Sequence, residues 1–266
     1  MLAGDLGGRE IAILTLLGTV RLSLSGRSGF VAAAAVTIVG FIIWRSLPET
    51  IDADVLPHEE IEVGGAKRTF RLVVPLGMKN APVPVVFAFH GVGDAPDAMP
   101  KYADLDRLAC KNGFVLVYPV ANSRMWRTEG PAASTAENPD VQFFDALLRH
   151  MKQRQQIDDE RVYLTGMSNG ASFAQLLAME RSEVIAAVVA HSGPLPKEWR
   201  SKKSRRPFPI LLVIGANDAV GDMEDCAKIY QDHGQTAKLR VVPGIGHAWA
   251  NNRNEEFWEF LDKHPR

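Results

Sequence analysis

Three residue types that together can activate a hydroxyl occur in this chain in an order that points to acyl transfer. Ser168 sits in Gly166-Met167-Ser168-Asn169-Gly170, directly after the apolar run Val162-Tyr163-Leu164-Thr165. A serine hydroxyl attacks a carbonyl only when a base removes its proton, so it must project from a tight turn that a histidine and a substrate can both reach. Gly166 and Gly170 lack a Cβ and let a strand turn sharply into the helix-forming run Ala171–Met179. The same five-residue pattern also describes an ordinary strand-to-helix turn, so its partners decide the matter. Asp218 closes Gly215-Ala216-Asn217-Asp218, and His247 lies in Gly244-Ile245-Gly246-His247-Ala248-Trp249. Serine, acid, histidine is the order expected for a nucleophile on such an elbow. His247 would take the proton from Ser168 and return it to the leaving group, while Asp218 fixes the tautomer of the imidazole. Asp222 and Asp225 compete with Asp218, which is preferred because it lies nearest a strand end.

The tetrahedral intermediate of acyl transfer carries an oxyanion that needs fixed donors, each worth about 3 to 4 kcal/mol in comparable sites. The backbone N–H groups of Asn169, just past the nucleophile, and of Val92, in His90-Gly91-Val92-Gly93-Asp94, are the candidates. His90 is a rival base, but its place beside Gly91 suits it to shaping this loop. His191, at the end of another apolar run, reads as a packing residue.

These residues need a frame, and the hydrophobic pattern supplies one. Glu60–Val63 and Lys67–Pro75 alternate about Gly64-Gly65, a β-hairpin signal with one wet face. Unbroken apolar runs at 84–91, 114–118, 184–191 and 209–215 read as strands buried on both faces, with a further strand at 238–242. Helical spacing falls at 102–110, 140–155 and 223–233, and in a closing helix through Phe257 and Leu261. The segment from Pro119 to Pro139 has no periodicity and reads as a site-lining loop. Strands alternating with helices imply a mostly parallel sheet covered on both faces. Ligands of such sheets sit at the carboxyl ends of the strands, where every candidate falls.

From about Glu60 onward the chain resembles the α/β-hydrolase superfamily, and within it the polyhydroxybutyrate depolymerase and feruloyl esterase type. The similarity rests on Lys67-Arg68-Thr69-Phe70-Arg71, Phe89-His90-Gly91, the approach from Asp158 to Gly166, Gly215-Ala216-Asn217-Asp218 and Gly246-His247-Ala248-Trp249. It implies an α/β-hydrolase fold, cleavage of carboxylic esters, and Ser168, Asp218 and His247 as the triad. It also implies Trp126 in a substrate-side loop; His90 and Trp249 are expected as further substrate contacts. Three positions depart from many relatives: Val92 stands in place of cysteine, Ala250 in place of proline, and Asn169 in place of a small residue.

The rest of the sequence sets boundaries. A net charge of −1 gives no reason to expect a nucleic-acid partner. Cys110 and Cys226 are the only cysteines and are expected as free thiols, although pairing between them stays open. The expected partner is a small or polymeric ester, and the chemistry calls for no cofactor and no metal. Residues 1–47 differ in character from the remainder of the chain. The uncharged run Phe30–Trp44, about 15 residues long, follows Arg9, Arg21 and Arg27 and precedes Glu49, Asp52 and Asp54. It reads as an N-terminal hydrophobic anchor helix that leaves the rest of the chain outside the cytoplasm, membrane-anchored or, if the segment is cleaved, secreted. Residues 48–58 read as a linker and 59–266 as the catalytic domain. A serine peptidase of the same fold and an inactive binding protein are the rival readings.

Overall fold

The apolar runs that lack polar alternation become the middle of one eight-stranded sheet, as burial on both faces requires. The computed structural model describes residues 11–15, 18–22, 51–78, 81–130 and 137–266. The chain divides into two units, Met1–Thr50 and Ile51–Arg266. In the first, β1 (Ile11–Thr15) and β2 (Gly18–Leu22) pair antiparallel with Ile11 opposite Leu22. The run Phe30–Trp44, expected as an anchor helix, lies outside the described residues. Among the described residues no helix is long and apolar enough to cross a membrane.

The second unit opens with the expected hairpin, β3 (Ala53–Val63) and β4 (Ala66–Pro75), closed by Gly64 and Gly65 at φ 58° and 78°. Two consecutive positive φ angles suit a two-residue turn and favour glycine. Because β3 begins at Ala53, the linker expected over 48–58 is cut short, and its second half is edge strand. The register shifts between Leu56 and Glu59, around Pro57, which has no N–H to offer a ladder.

Next come β5 (Val83–Phe89), α1 (Ala98–Ala103), α2 (Leu105–Asn112) and β6 (Val115–Pro119). After them lie α3 (Pro139–Arg154), β7 (Ile157–Met167), α4 (Asn169–Glu180) and β8 (Ala187–His191). The chain closes with β9 (Ile210–Gly215), α5 (Val220–Asp232), β10 (Ala237–Val242) and α6 (Asn254–Asp262). Across the sheet the order is β10-β9-β8-β7-β5-β6-β4-β3. Strands β5 to β10 run parallel, and β3 and β4 are antiparallel at one edge. The single helix expected over 102–110 is two, because Asp104 turns to φ 51° between α1 and α2.

Alternate side chains of each strand serve opposite faces. On β5, Val85, Phe87 and Phe89 join Phe144 of α3 and Phe173 of α4 on one side. Val86 and Ala88 join Leu108 of α2 and Phe257 of α6 on the other. The helices thus cover both faces, and the parallel strands deliver their carboxyl ends to one rim.

Candidate active site

Strand β7 ends at Met167 and α4 begins at Asn169, so Ser168 makes the turn alone, at φ 55° and ψ −120°. Such a backbone costs an L-residue on the order of 1–3 kcal/mol and persists only when its surroundings hold it. Here the Ser168 N–H donates to the carbonyl of His191 at 2.8 Å, and its own carbonyl accepts from the Ser172 N–H at 3.0 Å. A Cβ on Gly166 would sit 2.5 Å from the carbonyl of Gly170, and one on Gly170 would overlap the carbonyl oxygens of Phe89 and His90. Both positions require glycine, Gly166 because α4 starts directly over it and Gly170 because the elbow lies against the end of β5.

The turns after β9 and β10 bring the partners to this elbow. His247 Nε2 lies 2.9 Å from Ser168 Oγ, and its Nδ1 lies 3.0 Å from Asp218 Oδ2. Partial burial works to raise the Asp218 pKa, but the Ala219 N–H, the neighbouring Ser192 hydroxyl and the His247 ring outweigh it and leave the carboxyl below its ordinary value. Of these, the Ala219 N–H reaches Oδ1 at 2.8 Å, while Ser192 Oγ stays outside hydrogen-bond geometry. An ionised carboxylate only accepts, so Nδ1 of His247 carries the proton and Nε2 is free to accept from the Ser168 hydroxyl. The His247 side chain is 53% exposed and that of Asp218 14%, so the base faces solvent while its partner is shielded.

A cavity of about 430 Å³ opens over Ser168, walled by Gly91, Val92, Tyr102, His247 and Trp249. Its glycine-rich wall is held from two sides. Asp94 Oδ2 accepts from the Gly91 N–H at 2.9 Å and from the Tyr102 hydroxyl at 3.0 Å. The Gly93 N–H donates to the Arg124 carbonyl at 2.8 Å, and the Arg124 guanidinium returns bonds to the carbonyls of Gly93 and Asp94. The Asp94 N–H turns back to the Gly91 carbonyl at 3.3 Å. Val92 is the remaining residue of the loop, and its N–H has no acceptor among the described residues. Asn169, first in α4, likewise has an N–H with no partner inside the helix. The two expected oxyanion donors are therefore the groups this arrangement leaves unused. A groove of comparable size between β10 and α6 is lined by the pairs Arg240–Glu256 and Lys263–Glu259 and contains no serine, threonine or cysteine.

Two residues expected to face substrate do not. His90 is 3% exposed, its Nδ1–H donates to the Gly91 carbonyl at 2.8 Å, and its Nε2 accepts from the Ala121 N–H at 3.0 Å. Burial, only partly offset by the Gly91 bond, lowers its pKa, so the ring is a neutral brace for the loop. Trp126 is 1% exposed, stacks on Phe173 at 4.9 Å and donates its indole N–H to the His90 carbonyl at 3.0 Å. The aperiodic loop thus turns its tryptophan into the core. Trp249 does reach the pocket. Cys110 and Cys226 are free thiols.

Several positioning contacts carry no signal in a motif. The Asn169 side chain clips the Trp126 peptide, accepting its N–H at 2.8 Å and donating to its carbonyl at 3.2 Å. Buried Gln175 donates to the Gly193 carbonyl at 2.5 Å, behind the elbow. Arg68 and Asp140, both buried, pair at 2.8 Å, and the second carboxylate oxygen takes the Arg127 N–H at 2.9 Å. The Asp94 contact with the Gly91 N–H, by contrast, does leave a signal in the sequence, because an aspartate close behind a loop glycine is a frequent turn-former.

A parallel sheet with a serine elbow after one strand and the acid and histidine in the turns after two later ones defines an α/β-hydrolase. Residues 68–207, just over half of the chain, match the family Esterase PHB depolymerase, and the chain belongs to that family. It is 32% identical over 174 residues to a bifunctional acetylxylan esterase/xylanase of Neocallimastix patriciarum, a match that covers 63% of this chain and 24% of that protein. It is 27% identical over 193 residues to a putative esterase of Nocardia uniformis subsp. tsuyamanensis, covering 71% of this chain and 56% of that one. The chain therefore spans between a quarter and somewhat over half of the length of these relatives. Among solved structures, a ferulic acid esterase from Anaeromyces mucronatus superposes with a TM-score of 0.63 at 20% identity, covering 83% of this chain and 94% of that chain.

Proposed function

We propose that this protein is a serine hydrolase that cleaves carboxylic esters through an acyl-enzyme. The observation that carries the reading is the unbroken series of hydrogen bonds from Ser168 Oγ to His247 Nε2 and from His247 Nδ1 to Asp218. Ser168 Oγ attacks the ester carbonyl carbon as its proton passes to His247 Nε2, and the oxyanion is met by the N–H groups of Val92 and Asn169. The carbon–oxygen bond to the alcohol then breaks, and the departing oxygen takes the proton from Nε2. Water repeats the sequence on the acyl-enzyme, giving its proton to Nε2, and the acid leaves as Ser168 regains a proton. Asp218 stays ionised throughout and stabilises the imidazolium.

Membership of the esterase family and the names of the relatives support esters of acetyl, feruloyl or hydroxybutyryl groups as the substrate class. The exposed rim at His247 and Val92 leaves room for an alcohol that belongs to a larger polymer. A panel of aryl acetates, methyl ferulate, hydroxybutyrate oligomers and peptide anilides tests the reading. Turnover of at least one ester class that disappears in Ser168→Ala is expected. Turnover of peptide anilides without any ester would transfer the protein to the peptidases.

A further inference from the structure

Among the described residues, Trp249 alone lines both the catalytic pocket and a second, smaller cavity between the sheet and helices α2 and α6. That cavity, about 20 Å³, is walled by Val86, Leu108, Phe114, Phe257 and Trp258, and by Thr165, whose hydroxyl is already donated to the Val189 carbonyl at 2.8 Å. A space of this size with such walls offers a water no partners and stays dry. The indole between the two spaces is held on an edge and on a face. Its Nε1–H donates to Asn254 Oδ1 at 2.9 Å, and Asn254 Nδ2 donates to the Ala103 carbonyl at 2.7 Å. Its face lies on the His191 ring, with centroids 3.7 Å apart and planes 16° from parallel. Burial keeps His191 neutral by holding its pKa down at about 3, so the stack carries no buried charge. Rotating the indole away would leave Asn254 buried without its acceptor role filled, which opposes the motion.

We propose that Trp249 is a fixed partition that sets how long an apolar chain beside the scissile ester the pocket accepts, by closing it off from the dry cavity beyond. The proposal rests on the ester-hydrolase reading above. With the indole gone, pocket and cavity merge, and a chain that ends against Trp249 in the native enzyme can continue between α2 and α6.

The test compares kcat/KM of the wild type, Trp249→Ala and Trp249→Leu along two series: p-nitrophenyl alkanoates from acetate to octanoate, and alkyl acetates from methyl to octyl. The ratio of the longer to the shortest ester should rise about tenfold or more in both variants, the discrimination that one or two methylenes carry in an apolar pocket. The series in which the rise occurs identifies the acyl or the alcohol half as the group that abuts the indole. Refilling the cavity in Trp249→Ala/Leu108→Phe should bring the ratio back towards the wild type. Unchanged ratios in both series, in Trp249→Leu with native circular dichroism and retained acetate hydrolysis, would overturn the partition while leaving the esterase reading intact. A wild type that hydrolyses no ester would overturn both.

Discussion

In the proposed relay Asp218 acts by charge as well as by place. A neutral amide at the same position would still touch His247 Nδ1, but it would favour the wrong tautomer and would not stabilise the imidazolium. Asp218→Asn should therefore fold normally and lose about ten-thousand-fold in kcat, as the equivalent change does in serine proteases. Steady-state kinetics with an aryl acetate would measure this, and a loss of less than about tenfold would move the acid's role elsewhere. These residues were legible in the sequence because each terminates a strand signal: Ser168 after β7, Asp218 after β9 and His247 after β10. The substrate-side placing expected of His90 and Trp126 does not hold, whereas the loop-shaping role expected of His90 does. Which way a loop side chain points is decided by contacts from remote segments, here Ala121 for the first and Phe173 with Asn169 for the second.

At the scale of elements, the site is a set of loops fastened by side chains rather than by ladders. Asp94 holds the Gly91 turn and so presents the Val92 N–H, without itself touching the reacting atoms. Asp94→Ala should lower kcat by about tenfold to a hundredfold with KM little changed, as expected when a donor that matters only in the transition state is misplaced. Asp94→Asn, which keeps an acceptor for the Gly91 N–H, should recover most of the loss. The Arg68–Asp140 pair ties the hairpin to the first turn of α3 across 72 residues of sequence, and Asp140 holds the long loop through the Arg127 N–H. Arg68→Ala leaves a buried carboxylate unmatched and should cost about 3–5 kcal/mol in urea unfolding. Pattern reading found the strands, the hairpin turn and most helices because these obey local periodicity. It missed the pair and the break at Asp104, where long-range charge pairing and one left-handed residue decide. It also assigned to a linker a strand whose ladder partner, β4, comes later in the chain.

At the scale of the whole molecule, burial of neutral histidines makes stability depend on pH. His191 is held at a pKa of about 3, and His90 is also lowered, whereas in the unfolded chain histidine titrates near about 6.5. As pH falls below the unfolded value, the unfolded state binds protons that the native state refuses, so stability is complete above about pH 6.5 and declines towards about pH 3. His191 should contribute roughly 1 kcal/mol per pH unit across that window, and His191→Phe, which keeps a ring to stack on Trp249, should flatten the slope in urea titrations. The segment Phe30–Trp44, proposed from its sequence as an anchor, is tested by fractionation: an anchored chain sediments with membranes and is released by detergent but not by salt. Recovery of the intact chain in the soluble cytosol would contradict it.

The relay of Ser168, His247 and Asp218 is tested most directly by a fluorophosphonate, which reacts with a serine hydroxyl only where a neighbouring base activates it. The account expects one adduct per chain, located on Ser168 by mass spectrometry, absent in Ser168→Ala and greatly slowed in His247→Ala. A folded wild type that takes up no label, or that carries the adduct on another residue, would contradict it.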